Sequence, residues 1–252
     1  KMIAGPIERG KNLLPQLRAS LPGFDYVMVT AGLQLMLWGA FKKIVVADRI
    51  APFVDRVYDA PHEFSGVSLV FSTWLYAFQL YFDFSGYTDI ALGAAMIFGI
   101  KLLPNFNRPY FAVSIQDFWK RWHMSLTSWL NDYIYTPFMR SRFTGLKMYN
   151  LILLGMMLTF VVSGFWHGAN WTFIVWGALH GFYIVVSLLA QKRWNKFAKN
   201  TGLNKRKKAY RALKISVTFF LVCFSYIFFR ASSIGDAGFI IVHSFTGWGD
   251  LI

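Results

Sequence analysis

Residues 148–191 read MYNLILLGMMLTFVVSGFWHGANWTFIVWGALHGFYIVVSLLAQ, without a single Asp, Glu, Lys or Arg. A helix crossing the hydrocarbon core of a bilayer needs about 20 apolar residues, so this run is long enough for two spans in tandem. They read as about 148–167 and 170–190, joined by the tight connection Trp166–Trp171. Tyr26–Phe41 and Phe64–Phe82 are uncharged as well. A water-soluble fold would have to bury all of these stretches at once. The whole chain carries 15% charged and 56% hydrophobic residues, against about 25% charged in a soluble domain. The fold class is therefore all-α, a polytopic integral membrane protein, with residues 1–252 as a single membrane domain.

The net charge is +14, from 26 basic and 12 acidic residues. Such a balance can mark a nucleic-acid binder, but here the basic residues flank apolar spans, as cytoplasmic loops do. Between 191 and 211 stand Lys192, Arg193, Lys196, Lys199, Lys205, Arg206, Lys207, Lys208 and Arg211, with no acidic residue. This segment is expected in the cytoplasm, together with Arg140, Arg142 and Lys147 one span earlier. The Trp166–Trp171 connection then faces the outer side. Cys223 is the only cysteine, which leaves neither a disulfide framework nor a cysteine metal site. Both ends look cut, so the chain is expected to be the central and C-terminal part of a longer protein, without its N-terminal helices and its last C-terminal ones.

Outward from the central run, a span is expected at about 26–47, ending in Lys42 and Lys43. A charged connector follows at 48–63. Phe64–Ile100 is too long for one span and contains Asp83, Ser85, Gly86 and Asp89, so two helices or a broken one are expected. Residues 101–109 (KLLPNFNRP) are turn-rich, and Arg108 precedes a proline, which disfavours helix. Ser114-Ile-Gln-Asp117 has the form of a capping box. It would start a helix running to about Asp132, with Trp119, His123, Leu126 and Leu130 on one face. Its mix of aromatic and basic residues suits a helix lying in the interface or re-entering the protein. A last span is read at about 212–230.

Several residues could carry chemistry. His167 sits between Gly164 and Gly168 at a helix junction, where the backbone can bend and a substrate can come close. An ionisable group in an apolar run is costly and marks a functional site by default. The competing reading is a histidine with one satisfied hydrogen bond inside the bundle. His123, beside Trp119 and Trp122, is either a second functional group or a member of an interfacial aromatic belt. His180, one helical turn beyond Trp176, reads chiefly as packing and hydrogen bonding. Asp83 could act as an acid or base, or orient a histidine, while Asp89 reads as structural. Asn170, a backbone amide near Gly168 or His123 could donate to a developing oxyanion, and Trp166 flanks His167. His62 and His243 lie in loop-like or terminal sequence. No His-x-x-x-His pair supports a metal site.

Three runs, Gln79–Gly99 (QLYFDFSGYTDIALGAAMIFG), Phe118–Trp129 (FWKRWHMSLTSW) and Gly164–Gly181 (GFWHGANWTFIVWGALHG), resemble the membrane-bound O-acyltransferases. They are closest to the bacterial branch that acetylates alginate, peptidoglycan and other exported polysaccharides. Ala4-Gly-Pro-Ile7 resembles that branch's opening motif. The resemblance implies a helical bundle around a transmembrane tunnel, a catalytic histidine at His167 and a second family histidine at His123. It also implies an acyltransferase of the bacterial inner membrane. Acetyl-CoA would be its cytoplasmic donor, with no tightly bound cofactor. A polysaccharide acceptor and an extracytoplasmic acetyltransferase partner protein would complete the transfer. The alternatives are a D-alanyl transferase acting on teichoic acid, a transporter or flippase with a proton relay, and a non-catalytic scaffold of an export complex. A transporter would be expected to show inverted internal repeats, and none is visible.

Overall fold

Asp83 and Asp89 interrupt an apolar stretch without interrupting its helix. The protein, seen here as a computed structural model, is described over residues 5–19, 23–141, 145 and 147–247. Ala4, Arg142 and the Gly249–Ile252 end lie outside these residues. Among the described residues there are helices and turns but no strand. In chain order the helices are α1 (Gly10–Arg18), α2 (Tyr26–Ala40), α3 (Asp48–Asp59), α4 (Gly66–Ile97), α5 (Ile115–Trp119), α6 (Met124–Leu130), α7 (Thr136–Arg140), α8 (Met148–His167), α9 (Trp171–Asn200), α10 (Lys207–Arg230) and α11 (Ile234–His243). Four helical stretches among the described residues are long and apolar enough to cross a membrane: Tyr26–Asp59, Met148–His167, Trp171–Asn200 and Lys207–Arg230.

The central run folds as its composition requires, into α8 and α9 with a break at Gly168–Asn170. Asn170 begins α9 because its side chain accepts from the Thr172 amide at 3.1 Å, which satisfies one of the orphan donors of the first turn. The last span is present as α10.

Two expectations for residues 26–100 need correction. Residues 48–59 are not a connector, because α2 continues through a π-helical stretch, Phe41–Ala47, into α3. Residues 66–97 form one unbroken helix of 32 residues. Both departures have the same cause. Lys42 reaches Asp89 at 2.6 Å and donates to Ser85 at 3.1 Å. Lys43 reaches Asp83 and Asp48, each at 2.7 Å. The charges of α4 are thus neutralised by lysines of the neighbouring helix, so neither set has to mark a helix end. Asp89 thus holds α4 to its neighbour through the Lys42 side chain, in keeping with its structural reading.

Small residues let these helices touch. A Cβ on Gly39 would fall 2.6 Å from the Gly86 carbonyl. One on Gly177 would strike the Phe160 carbonyl across the α8–α9 interface. Close backbone approach at glycines is how helices associate where lipid removes the hydrophobic drive.

The expected helix from Ser114 to Asp132 does not form as one piece. Ser114 does cap α5, accepting from the Asp117 amide at 3.1 Å. The return bond runs from the Val113 amide to Asp117 Oδ2 at 3.0 Å, one residue earlier than in the reciprocal box. Helix α5 then stops at Trp119, and His123, with φ 44°, turns the chain before α6. Arg108, with φ 46°, is the other non-glycine left-handed residue among those described. The segment is buried inside the bundle: Phe118, Trp119 and Trp122 are at most 5% exposed and pack in one aromatic core with Tyr76, Trp176 and Tyr226. The re-entering reading is the one this burial supports.

Candidate functional site

His167 is the last residue of α8. Its imidazole stands edge-on to Trp176 (centroids 5.1 Å apart, 88° between planes) and to Phe229 of α10 (5.0 Å, 73°). Among the described residues no hydrogen bond engages either ring nitrogen, so the bland reading of one satisfied bond is not what the structure places there. The Gly168 amide is already given to the Phe165 carbonyl at 3.2 Å. Asn170 spends its amide nitrogen on the Ser232 carbonyl at 3.2 Å and its oxygen on capping α9. It therefore clamps the connection behind His167 to the start of α11.

His123 is held quite differently. It is 5% exposed, and Phe84 of α4 packs edge-on against its ring at 4.7 Å. Its Nδ1 lies 3.1 Å from Asn105 Oδ1. Gly5 closes the other side: a Cβ there would lie 3.3 Å from His123 Cε1 and 3.0 Å from Asn105 Nδ2. The Ile7 amide donates to Ser125 Oγ at 2.9 Å, so the opening motif, where described, packs onto the turn that carries His123. Arg9 fastens the same segment through Ser128 at 2.9 Å.

Burial, first, and the charge His167 would carry, second, both push the His123 pKa down. Helix α6 lies against the end of α8, with Trp129 and Trp166 at 5.2 Å between centroids. Trp166 thus braces the two histidine-bearing elements against each other.

The other expected residues are placed elsewhere. Asp83 is turned to Lys43 and its side chain is 46% exposed. His180 is fully buried, with Nδ1 accepting from Trp119 Nε1 at 3.2 Å and Nε2 lying 2.9 Å from Ser225 Oγ. Ser225 gives its own proton to the Val222 carbonyl, so His180 Nε2 must be the donor, and both nitrogens are satisfied. His180 ties α5, α9 and α10 together, as the packing reading expects. His243 stacks on Phe239, and His62 packs at a tilt against the same ring. Sequence reasoning missed Asn105, Ser125 and Phe229. Asn105 was visible only as one more turn-forming residue in KLLPNFNRP, and nothing in that pattern signals its burial.

These features define a class: a polytopic helical membrane protein with two histidines set at helix breaks in aromatic surroundings. A family model described as MBOAT, membrane-bound O-acyltransferase family, matches residues 2–233. The chain belongs to the membrane-bound O-acyltransferase family. It is 38% identical to a peptidoglycan O-acetyltransferase of Helicobacter pylori, over 94% of this chain and 43% of that protein. It is 34% identical to a probable alginate O-acetylase of Azotobacter vinelandii, over 98% of this chain and 46% of the relative. A teichoic acid D-alanyltransferase of Streptococcus thermophilus is 30% identical over 90% of this chain and 58% of its own length. The chain spans less than half the length of the two acetylating relatives.

Proposed function

We propose that this chain is the catalytic portion of a multi-pass O-acetyltransferase of the bacterial inner membrane. The donor is a cytoplasmic thioester, acetyl-CoA. The acceptor is a hydroxyl of a cell-surface polysaccharide, reached directly or through an extracytoplasmic partner protein. The observation that carries the reading is the placement of His167: an imidazole with no hydrogen bond among the described residues, at a helix break, on an element that Trp166 packs against the helix following His123.

In this mechanism the acceptor oxygen attacks the thioester carbonyl while His167 takes the hydroxyl proton. Imidazole suits that task because its ordinary pKa lies near neutrality. The new C–O bond forms, the C–S bond breaks, and the proton on His167 passes to the leaving thiolate. Aromatic walls of Trp176 and Phe229 would keep water from competing for the thioester.

The D-alanyl reading is the second, supported by the similarity to the teichoic acid enzyme. The higher identity to the acetylating relatives favours acetyl. Purified full-length protein given radiolabelled acetyl-CoA should place label on glycan, lipid or protein. If label moves only from a D-alanyl carrier, the acetyl assignment fails.

A further inference from the structure

Three donors converge on one oxygen beneath His123. Asn105 is 1% exposed, and its Oδ1 accepts from the Ser125 amide at 3.2 Å and from Ser125 Oγ at 2.8 Å. A backbone N–H can only donate, so the Asn105 atom facing it must be the carbonyl oxygen, and the side-chain amide cannot be flipped. Ser125 Oγ receives the Ile7 amide and has one proton of its own, which goes to the same oxygen. The third group on that oxygen is His123 Nδ1, at 3.1 Å. Facing an acceptor, Nδ1 must carry the proton. The other ring nitrogen, Nε2, makes no hydrogen bond among the described residues.

We propose that Asn105 is a positioning residue that holds His123 as the Nδ1–H tautomer, so that His123 enters the reaction only as a hydrogen-bond acceptor at Nε2. The inference about catalysis rests on the acyltransferase reading; the tautomer does not. Neutral His123 then cannot be the oxyanion donor. Its lone pair instead suits the N–H that His167 presents once it has taken the hydroxyl proton. The left-handed turn at His123 and the close approach of Gly5 serve the same end. They leave the ring one place, between Phe84 and the Asn105 oxygen.

The test uses full-length protein with 15N-labelled histidine, in long-range 1H–15N correlation spectra. Wild type should show His123 protonated at Nδ1. Asn105→Asp keeps the acceptor for all three donors but adds a negative charge beside Nδ1, which favours the imidazolium by about one pH unit or more. A protonated His123 has no lone pair at Nε2. The acid limb of kcat should therefore move to higher pH by a similar amount, with KM for the acyl donor little changed. Ser125→Ala, which disturbs the same turn without touching His123, should lower folded yield and leave the limb in place. A wild-type ring protonated at Nε2 would overturn the proposal. So would a folded Asn105→Asp enzyme whose acid limb has not moved. If the protein transfers no acetyl group at all, the spectra still decide the tautomer, separately from the reading of its function.

Discussion

Three histidines of this chain lie against aromatic side chains, and their hydrogen bonds separate them more clearly than their burial does. His180 has both nitrogens engaged, by Trp119 and Ser225, and so has nothing left to offer a substrate. His123 has one engaged, by Asn105. His167 has neither engaged among the described residues. Carboxylates divide in the same way. Asp83, half-exposed and paired with Lys43, does not stand with the histidines. Exposed ion pairs contribute about 0–1 kcal/mol, so Asp83→Asn should cost little folded yield and leave turnover near wild type. A loss of turnover beyond tenfold in a well-folded Asp83→Asn protein would return the carboxylate to the chemistry.

At the scale of elements, the pairing of α2–α3 with α4 explains why charge did not end either helix. Lys42 is 7% exposed, and it spans the interface to Asp89. Removing one partner of a buried pair leaves an uncompensated charge, at a cost of about 3–5 kcal/mol, whereas replacing both with apolar residues is often neutral. Lys42→Met alone should therefore sharply lower the yield of folded protein, and adding Asp89→Leu should restore most of it. Thermal unfolding of the purified single and double variants checks this. Equal damage in both would mean that the pair does not hold α4 against its neighbour. The spans read at about 148–167, 170–190 and 212–230 were legible because long apolar runs admit few alternatives, although α9 continues through basic residues to Asn200 and α10 begins at Lys207. The interior of 101–140 was not. The turn at 101–109 was expected, but the break inside 114–132 depends on His123 taking left-handed backbone, which tertiary contacts impose and helical periodicity cannot foresee.

For the whole molecule, orientation follows from the basic segment 191–211, which contains nine cationic and no acidic side chains. Single cysteines introduced there should react with impermeant thiol reagents only after cells are opened. Cys223, buried on α10, should give little background. Labelling in intact spheroplasts would reverse the orientation and place the acyl donor on the wrong side. Of the candidate site, the sequence singles out His167 as an ionisable residue in an apolar run and His123 as a histidine between tryptophans on an amphipathic segment, and the family resemblance points to the same two. Asn105 was not legible, because a buried asparagine and a turn asparagine look alike in composition. Asn170 was legible as a polar residue beside His167, yet its geometry shows a helix cap and clamp that a spacing argument does not reveal.

The central claim is that His167 takes the proton from the acceptor hydroxyl. It is tested most directly by comparing acetyl transfer from labelled acetyl-CoA in full-length wild-type and His167→Ala proteins. A general base contributes about 10²- to 10⁴-fold in rate. The variant should lose at least that much turnover, while its membrane abundance and donor binding stay at wild-type levels. His123→Ala should retain measurable turnover. A folded, donor-binding His167→Ala protein that transfers acetyl groups within a few-fold of wild type would contradict the account.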